Sequence, residues 1–426
     1  MARRRQSMTM SRRAVLAAAP AVASGFVRQA RAQAATLNFW DMIWGPPAYI
    51  DAARALVARF NSETPNIQVT YRSVPWANWF QTFVTAVGAG TAPDISTGGG
   101  FQAVNLYSQG AVRPVDAVVD ALRSSGALSD FAPGTIDAMR YDNHYVAIPW
   151  GLDIRSWFYR KDHFAAAGLE PPRSWAELRE TAKRLTSSER FGLVGAADTR
   201  GMQYLVTAMI NNGGGIFSPE RQLDLTGERN REALEVLSAM VRDGSVHGGS
   251  AAFTSQESNR AFFQGQASIM AGPGAVADQA PADVADKIGI IPPMAGAHGD
   301  KHTLLFINNI MIYQQTRYPA EAATFLAWWS ANAKPLWTQG RCQQIPVRSS
   351  IASDPYFQNN PNTRTVMEQY VPIGKTLATR SVGTFPKLHE VDGDGTLVTL
   401  AQQVFQGREL APALTAADRR LREMLR

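Results

Sequence analysis

Few residues in this 426-residue chain are suited to covalent or metal chemistry. Its single cysteine, Cys342, excludes an internal disulfide, and cysteine-based zinc or iron–sulfur centres need several thiolates. His298 and His302 have the i, i+4 spacing of a zinc pair, but the segment from Met294 to Asp300 reads as a loop, not a helix face. Asp392-Gly393-Asp394-Gly395 hints at a calcium loop, yet Thr396 and Gln403 stand at positions five and twelve, where that loop needs better ligands. Gly98-Gly99-Gly100 lacks the lysine and the spacing of a phosphate cradle, so it reads as close backbone approach to a ligand. There is no G-x-S-x-G, H-E-x-x-H or Walker A sequence. A glycosidase would need two carboxylates facing across a cleft, and no spacing in the chain sets up such a pair. Binding without turnover is the reading, with no catalytic residue, metal or cofactor expected.

The residues suited to binding are aromatic rings near carboxylates, amides and arginines. Rings cover the apolar C–H faces of a sugar, and charged or amide groups bond its hydroxyls. Open α/β sheets take ligands at the carboxyl ends of their strands. That rule selects Trp40, Asp41 and Trp44 after a first strand, Gly100, Phe101 and Gln102 after a third, and Trp150 and Asp153 after Pro149. Trp44 lies in a Gly-Pro turn and reads as a ligand face; Trp76 and Trp79 precede a helix and read as an entry staple. Asn308, Asn309, Arg341 and Arg348 are further polar candidates, Arg348 reading equally as a buried pair across a crossover.

These positions depend on alternating strands and helices. Thr36–Trp40, Ile67–Tyr71, Tyr145–Ile148, Ser156–Tyr159, Ala267–Met270, Ile288–Ile291 and Leu304–Ile312 read as strands, with Pro149 ending one of them. Helical spacing links Tyr49 to Phe60, Phe80 to Val87, Ala233 to Val241 and Ala322 to Trp329. Ser174 and Glu177 form a capping-box pattern, and the tail from Leu397 to Leu425 is mostly helical. Such alternation indicates α/β layers with largely parallel sheets.

Charge separates the first 33 residues from the rest. They hold seven arginines and no Lys, Asp or Glu; 42 Lys and Arg less these seven leaves 35 against 36 acidic residues. The body is thus nearly neutral, which argues against nucleic acid as a partner. The basic start, the apolar run Ala14–Val27 and Ala30-Arg31-Ala32 have the order of a secretory signal, too short for the roughly 20 residues of a membrane span. Ser11-Arg12-Arg13-Ala14-Val15-Leu16 is similar to the twin-arginine export motif. Cleavage after Ala32 and a free periplasmic protein are expected.

Several segments, in order along the chain, resemble the family 1 extracellular solute-binding proteins of ABC importers, which include the maltose-binding proteins. They are Leu37-Asn38-Phe39-Trp40, Phe60 to Ile67, Ala86 to Asp94, Tyr145 to Pro149, Phe158 to Asp162, Ala167 to Leu178, Phe263 to Pro273 and Pro346-Val347-Arg348. The resemblance implies a two-lobed periplasmic-binding-protein fold, each lobe a mainly parallel sheet flanked by helices, with the ligand cleft between. The lobes would comprise residues 33–148 with about 304–346, and 149–303 with about 347–426. It implies a monomer that captures a carbohydrate and delivers it to membrane permease subunits. It places an acidic residue four after the crossing proline on sugar hydroxyls, which is Asp153. It also brings in Gln203, Gly272 and Gly274; Gly274 departs from the aromatic residue common there, which argues against a maltose-like oligosaccharide. A neutral mono- or disaccharide is the first expectation. A polyol or glycerol phosphate held by Arg341 or Arg348 is the second.

Overall fold

Ala35, Leu37 and Phe39 turn inward and Thr36 and Asn38 outward, the period-two pattern that makes Ala35–Met42 a strand, β1. The computed structural model describes residues 34–377 and 384–426; the export leader expected at the N-terminus lies outside them. The helix α1, Pro47–Glu63, starts at a proline and buries Tyr49, Ala53, Leu56, Val57 and Phe60 along one stripe. Next come β2 (Ile67–Val74), α2 (Trp79–Gly88), β3 (Ile95–Gly98) and α3 (Gln102–Ser108). β1 lies between β2 and β3, parallel to both.

The long strand β4, Ile148–Arg160, joins this half to a second. That half holds β5 (Phe191–Val194), α4 (Thr199–Asn211), β6 (Ala267–Pro273) and β7 (Ile288–Ile291). β8, Thr303–Ile312, returns to the first half, and Ile345–Pro346 (β9) pairs with β4. The main sheet has the order β2-β1-β3-β8-β4-β6-β5, with β7 and β9 also on β4. This is the two-lobed α/β architecture that the resemblance implied, with one correction. The sheet is mixed: β4 and β8 run antiparallel to each other, and β3 and β6 are antiparallel to the crossing strands beside them. A chain that crosses from lobe to lobe and returns must reverse direction.

Two details differ from the sequence reading. Pro149 does not end a strand but lies inside β4, opposite Asn309. The register shifts between Asn308 and Asn309, so that Trp150 is the extra residue of a bulge. A bulge tolerates a residue with no N–H to donate and re-aims a side chain. At Ser174 only half of the capping box forms: Ser174 Oγ accepts from Glu177 N at 3.2 Å, while the Glu177 carboxylate takes the Arg173 N–H at 2.7 Å. A complete box sits instead at Thr254 and Glu257.

The apolar core falls into two clusters, one around Phe39, Phe60, Phe325 and Trp329, the other around Leu178, Leu205, Leu237 and Leu400. A helix near the C-terminus, α5 (Pro386–Gly393), belongs to the second cluster through Leu388 and Val391, yet it also meets the first lobe. His389 packs on Trp79 and Phe80 with ring centroids 5.4 and 5.1 Å apart, and a Cβ on Gly393 would come within 2.5 Å of the Phe80 ring.

Candidate functional site

The strand ends of the first lobe gather four indoles. Trp44 is 2% exposed and donates its Nε1–H to Asp41 Oδ1 and Thr97 Oγ1, both at 3.2 Å. Trp150 lies against it at 5.0 Å and stacks on Trp337 at 5.5 Å. Trp76 meets the edge of Trp44 at 5.0 Å, is 41% exposed, and ties its Nε1–H to the Ile43 carbonyl at 2.8 Å. Trp79 follows at 5.8 Å and is half-buried. The sequence assigned the ligand face to Trp44 and the packing role to Trp76 and Trp79. The structure reverses the exposure, because Trp44 packs against Trp76 and Trp150 and its N–H is satisfied inside the lobe.

Asp41, expected beside a ligand, is fully buried. It accepts from Thr97 Oγ1 at 2.7 Å, Tyr49 OH at 2.9 Å, Tyr71 OH at 3.2 Å and the Trp44 indole. Burial pushes its carboxyl up to about 7, while the four donors act the other way. With both oxygens engaged, Asp41 braces the lobe and offers a ligand nothing. Trp40 is part-buried on Phe83, with the Arg72 guanidinium 4.2 Å over its ring.

The loop after β3 is set by packing. A Cβ on Gly100 would meet Phe306 at 3.2 Å, whereas Gly99 has ordinary room beside Trp76 and Trp79. Phe101 is buried against Phe306 at 5.8 Å. Gln102 is buried, accepting from Gly99 N at 3.3 Å, with its Nε2 unpartnered. Asn309 holds the same loop, donating to the carbonyls of Gly99 and Gly100 at 3.2 and 3.1 Å. Asn308 donates to Gln344 Oε1 at 2.7 Å.

The polar side of the site is on β4. Asp153 and Arg155 are two apart and therefore share a face. Arg155 donates through both terminal nitrogens to the Asp153 carboxylate, with Nη2–Oδ2 at 2.8 Å, and through Nε to Gln203 Oε1 at 2.8 Å. Asp153 and Gln203 are thus brought together by Arg155, which the sequence reading overlooked. Period-two spacing from Asp153 would have found it. Asp392 on α5 lies within electrostatic range of both charges; burial pushes its carboxyl up to about 7, and its Oδ1 is enclosed without a donor.

The remaining candidates sit elsewhere. Arg348 is buried in a pair with Asp130 at 2.9 Å, donates to Ser330 Oγ at 3.1 Å and stacks on Phe131. The buried-pair alternative accounts for it, although the partner lies within the first lobe's periphery. Arg341 is exposed and donates to the Asp278 carbonyl. Gly272 and Gly274 are enclosed: a Cβ on the first would press Val276 at 3.2 Å, and on the second Val366 at 2.8 Å. Both make room for packing. His298 pairs with Glu232 at 2.7 Å. Among the described residues no group of three or more His, Cys, Asp or Glu is placed to hold a metal ion.

A two-lobed sheet crossed by two long strands, with rings and a polar group at its strand ends, defines a class. The chain belongs to the bacterial extracellular solute-binding protein family, whose model matches residues 47–334. It is 35% identical to a sugar transporter from Arthrobacter chlorophenolicus A6 solved with bound laminaribiose. That match has a TM-score of 0.86 and covers 92% of this chain and all of the other. It is 21% identical over 322 residues to the maltotriose-binding protein of Pyrococcus abyssi, covering 74% of this chain and 67% of that one. The sn-glycerol-3-phosphate-binding periplasmic protein of Escherichia coli is 29% identical over 185 residues, 40% of either chain. Proteins of this family bind solutes for ABC importers, and no described helix is long and apolar enough to cross a membrane.

Proposed function

We propose that this protein captures a neutral disaccharide, with laminaribiose the first candidate, and delivers it to an ABC permease without chemical change. The observation that carries this reading is the exposed Trp76 ring, continued by Trp79, and the Asp153–Arg155–Gln203 group supplies charge-assisted partners. A ring shelf covers a pyranose face, and the charge-assisted group bonds its hydroxyls. The relative with bound laminaribiose supports the same ligand class.

A phosphorylated polyol has less support. Arg348, one of the two cations suggested for it, is engaged by Asp130, and Arg155 is engaged by Asp153. The lobes proposed are residues 33–148 with about 304–346 and 149–303 with about 347–426, hinging on the crossings where few backbone angles need change. Export by the twin-arginine route with cleavage after Ala32 completes the reading; normal periplasmic yield from Arg12→Lys with Arg13→Lys would refute that route.

A thermal-shift panel of neutral sugars, polyols and sugar phosphates tests the ligand class. Laminaribiose should raise the melting midpoint, since a ligand that binds only the native state stabilises it. A rise with sn-glycerol 3-phosphate and with no neutral sugar would overturn the reading.

A further inference from the structure

We infer that Asp392 is a ligand-binding carboxyl contributed by α5, and that it makes the site selective for uncharged, hydroxyl-rich ligands over anionic ones. This rests on the carbohydrate reading above and names a residue and a selectivity that the reading lacks.

The helix that carries Asp392 is held from both sides. Phe385 packs on Phe217 of the second lobe at 5.0 Å, and Leu388 and Val391 enter that lobe's core. His389 and Gly393 rest on Trp79 and Phe80 of the first lobe. Asp392 therefore lies where α5 meets Trp79 and Phe80, within electrostatic range of Asp153 and Arg155 on β4.

Its carboxyl is not explained by the fold. Oδ1 is sealed from solvent and receives no donor, although buried polar groups are almost always paired. Arg155 does not serve it, because that guanidinium is turned to Asp153 and Gln203. Arg200, another buried cation, donates to the Ser255 carbonyl at 3.0 Å and to Asn259. Burial of the carboxyl is what lifts it to about 7, and His389, one turn earlier, is held down to about 3 and uncharged. An acceptor that the fold encloses without a donor is completed by a ligand that donates once the lobes part. Sugar hydroxyls donate; a phosphate dianion has no proton to give. Above about pH 7, with Asp392 ionised near the Asp153–Arg155 pair, the group carries one excess negative charge, which opposes an anion.

Titration calorimetry with laminaribiose and with sn-glycerol 3-phosphate, on wild type and Asp392→Asn, tests this. Laminaribiose should bind the variant roughly ten- to a hundredfold more weakly, the loss expected for a charge-assisted hydrogen bond. The preference for laminaribiose over sn-glycerol 3-phosphate should fall at least about tenfold by the same removal of charge. The melting midpoint of the ligand-free variant should rise, a readout that a merely structural carboxyl would move the other way. Laminaribiose affinity unchanged within about twofold would overturn the inference while leaving the carbohydrate reading intact. Asp392→Ser serves the same comparison if the Asn variant does not fold. A wild type that binds no neutral sugar overturns the carbohydrate reading and this inference with it.

Discussion

Asp41 and Asp392 are both carboxyls pushed up to about 7 by burial, and they differ in what surrounds them. Asp41 collects four donors from its own lobe; Asp392 leaves Oδ1 without one. The tryptophans repeat the contrast. Trp44 is enclosed with its N–H satisfied, while Trp76 satisfies its N–H and keeps much of its ring in solvent. Burial alone thus does not separate structural from functional groups here. The donors around each carboxyl do: Asp41 is satisfied by its own lobe without a ligand, and Asp392 is not.

The largest effects should come from breaking the complete side. Asp41→Ala would leave the Tyr49, Tyr71, Thr97 and Trp44 donors facing an apolar gap. It should cost on the order of 3–5 kcal/mol in denaturant unfolding, since each orphaned donor costs about 1–3 kcal/mol. Trp44→Ala removes a buried indole and should cost about 3–5 kcal/mol by the same measurement. Either variant unfolding like wild type would erase the contrast.

A smaller effect separates the two sides by pH. A carboxyl whose folded value is near 7 and whose unfolded value is near 4 holds a proton in the native state across that interval. Its contribution to stability is therefore present below about pH 4 and lost as the pH rises through 7, by at most about 1.4 kcal/mol per pH unit. Asp392→Asn keeps the neutral shape. Its midpoint should match wild type near pH 3.5, where the carboxyl is protonated in both the folded and unfolded states, and exceed it near pH 8, where the wild-type carboxylate is charged and unpaired. Arg155 and Asp153 face the group in both proteins, so their contribution is common to the two. An equal offset at both pH values would contradict this assignment.

Much of the fold was legible because it rests on local periodicity. Ile288–Ile291 and the helix opening at Pro319 lie where the apolar pattern places them. Pro149 misled because a proline reads locally as a strand end, while the bulge that accommodates it is made by Asn308 and Asn309 on a distant strand. The site was legible in part. Strand ends gave Asp153 and, by resemblance, Gln203, but not the Arg155 that joins them. Trp44 and Trp76 cannot be told apart by type or spacing, since the cover over Trp44 comes from Trp150, itself stacked on Trp337 in the segment that precedes β9. Asp392 was weighed only as part of a calcium loop. Its proposed role follows from α5 joining the second core cluster while His389 meets Trp79, which no local pattern announces.

The central claim is that the exposed ring shelf, completed by the polar group across the cleft, binds a neutral disaccharide. The most direct test is titration calorimetry of laminaribiose into wild type and Trp76→Ala, with denaturant unfolding of both as control. The account predicts one saturable site in wild type and roughly tenfold weaker binding in the variant, as expected when about 1–2 kcal/mol of ring contact is lost. Folding stability should change by less than about 1 kcal/mol, because the ring is already half in water. Equal affinity in the two proteins, or no saturable heat from laminaribiose in wild type, would contradict it.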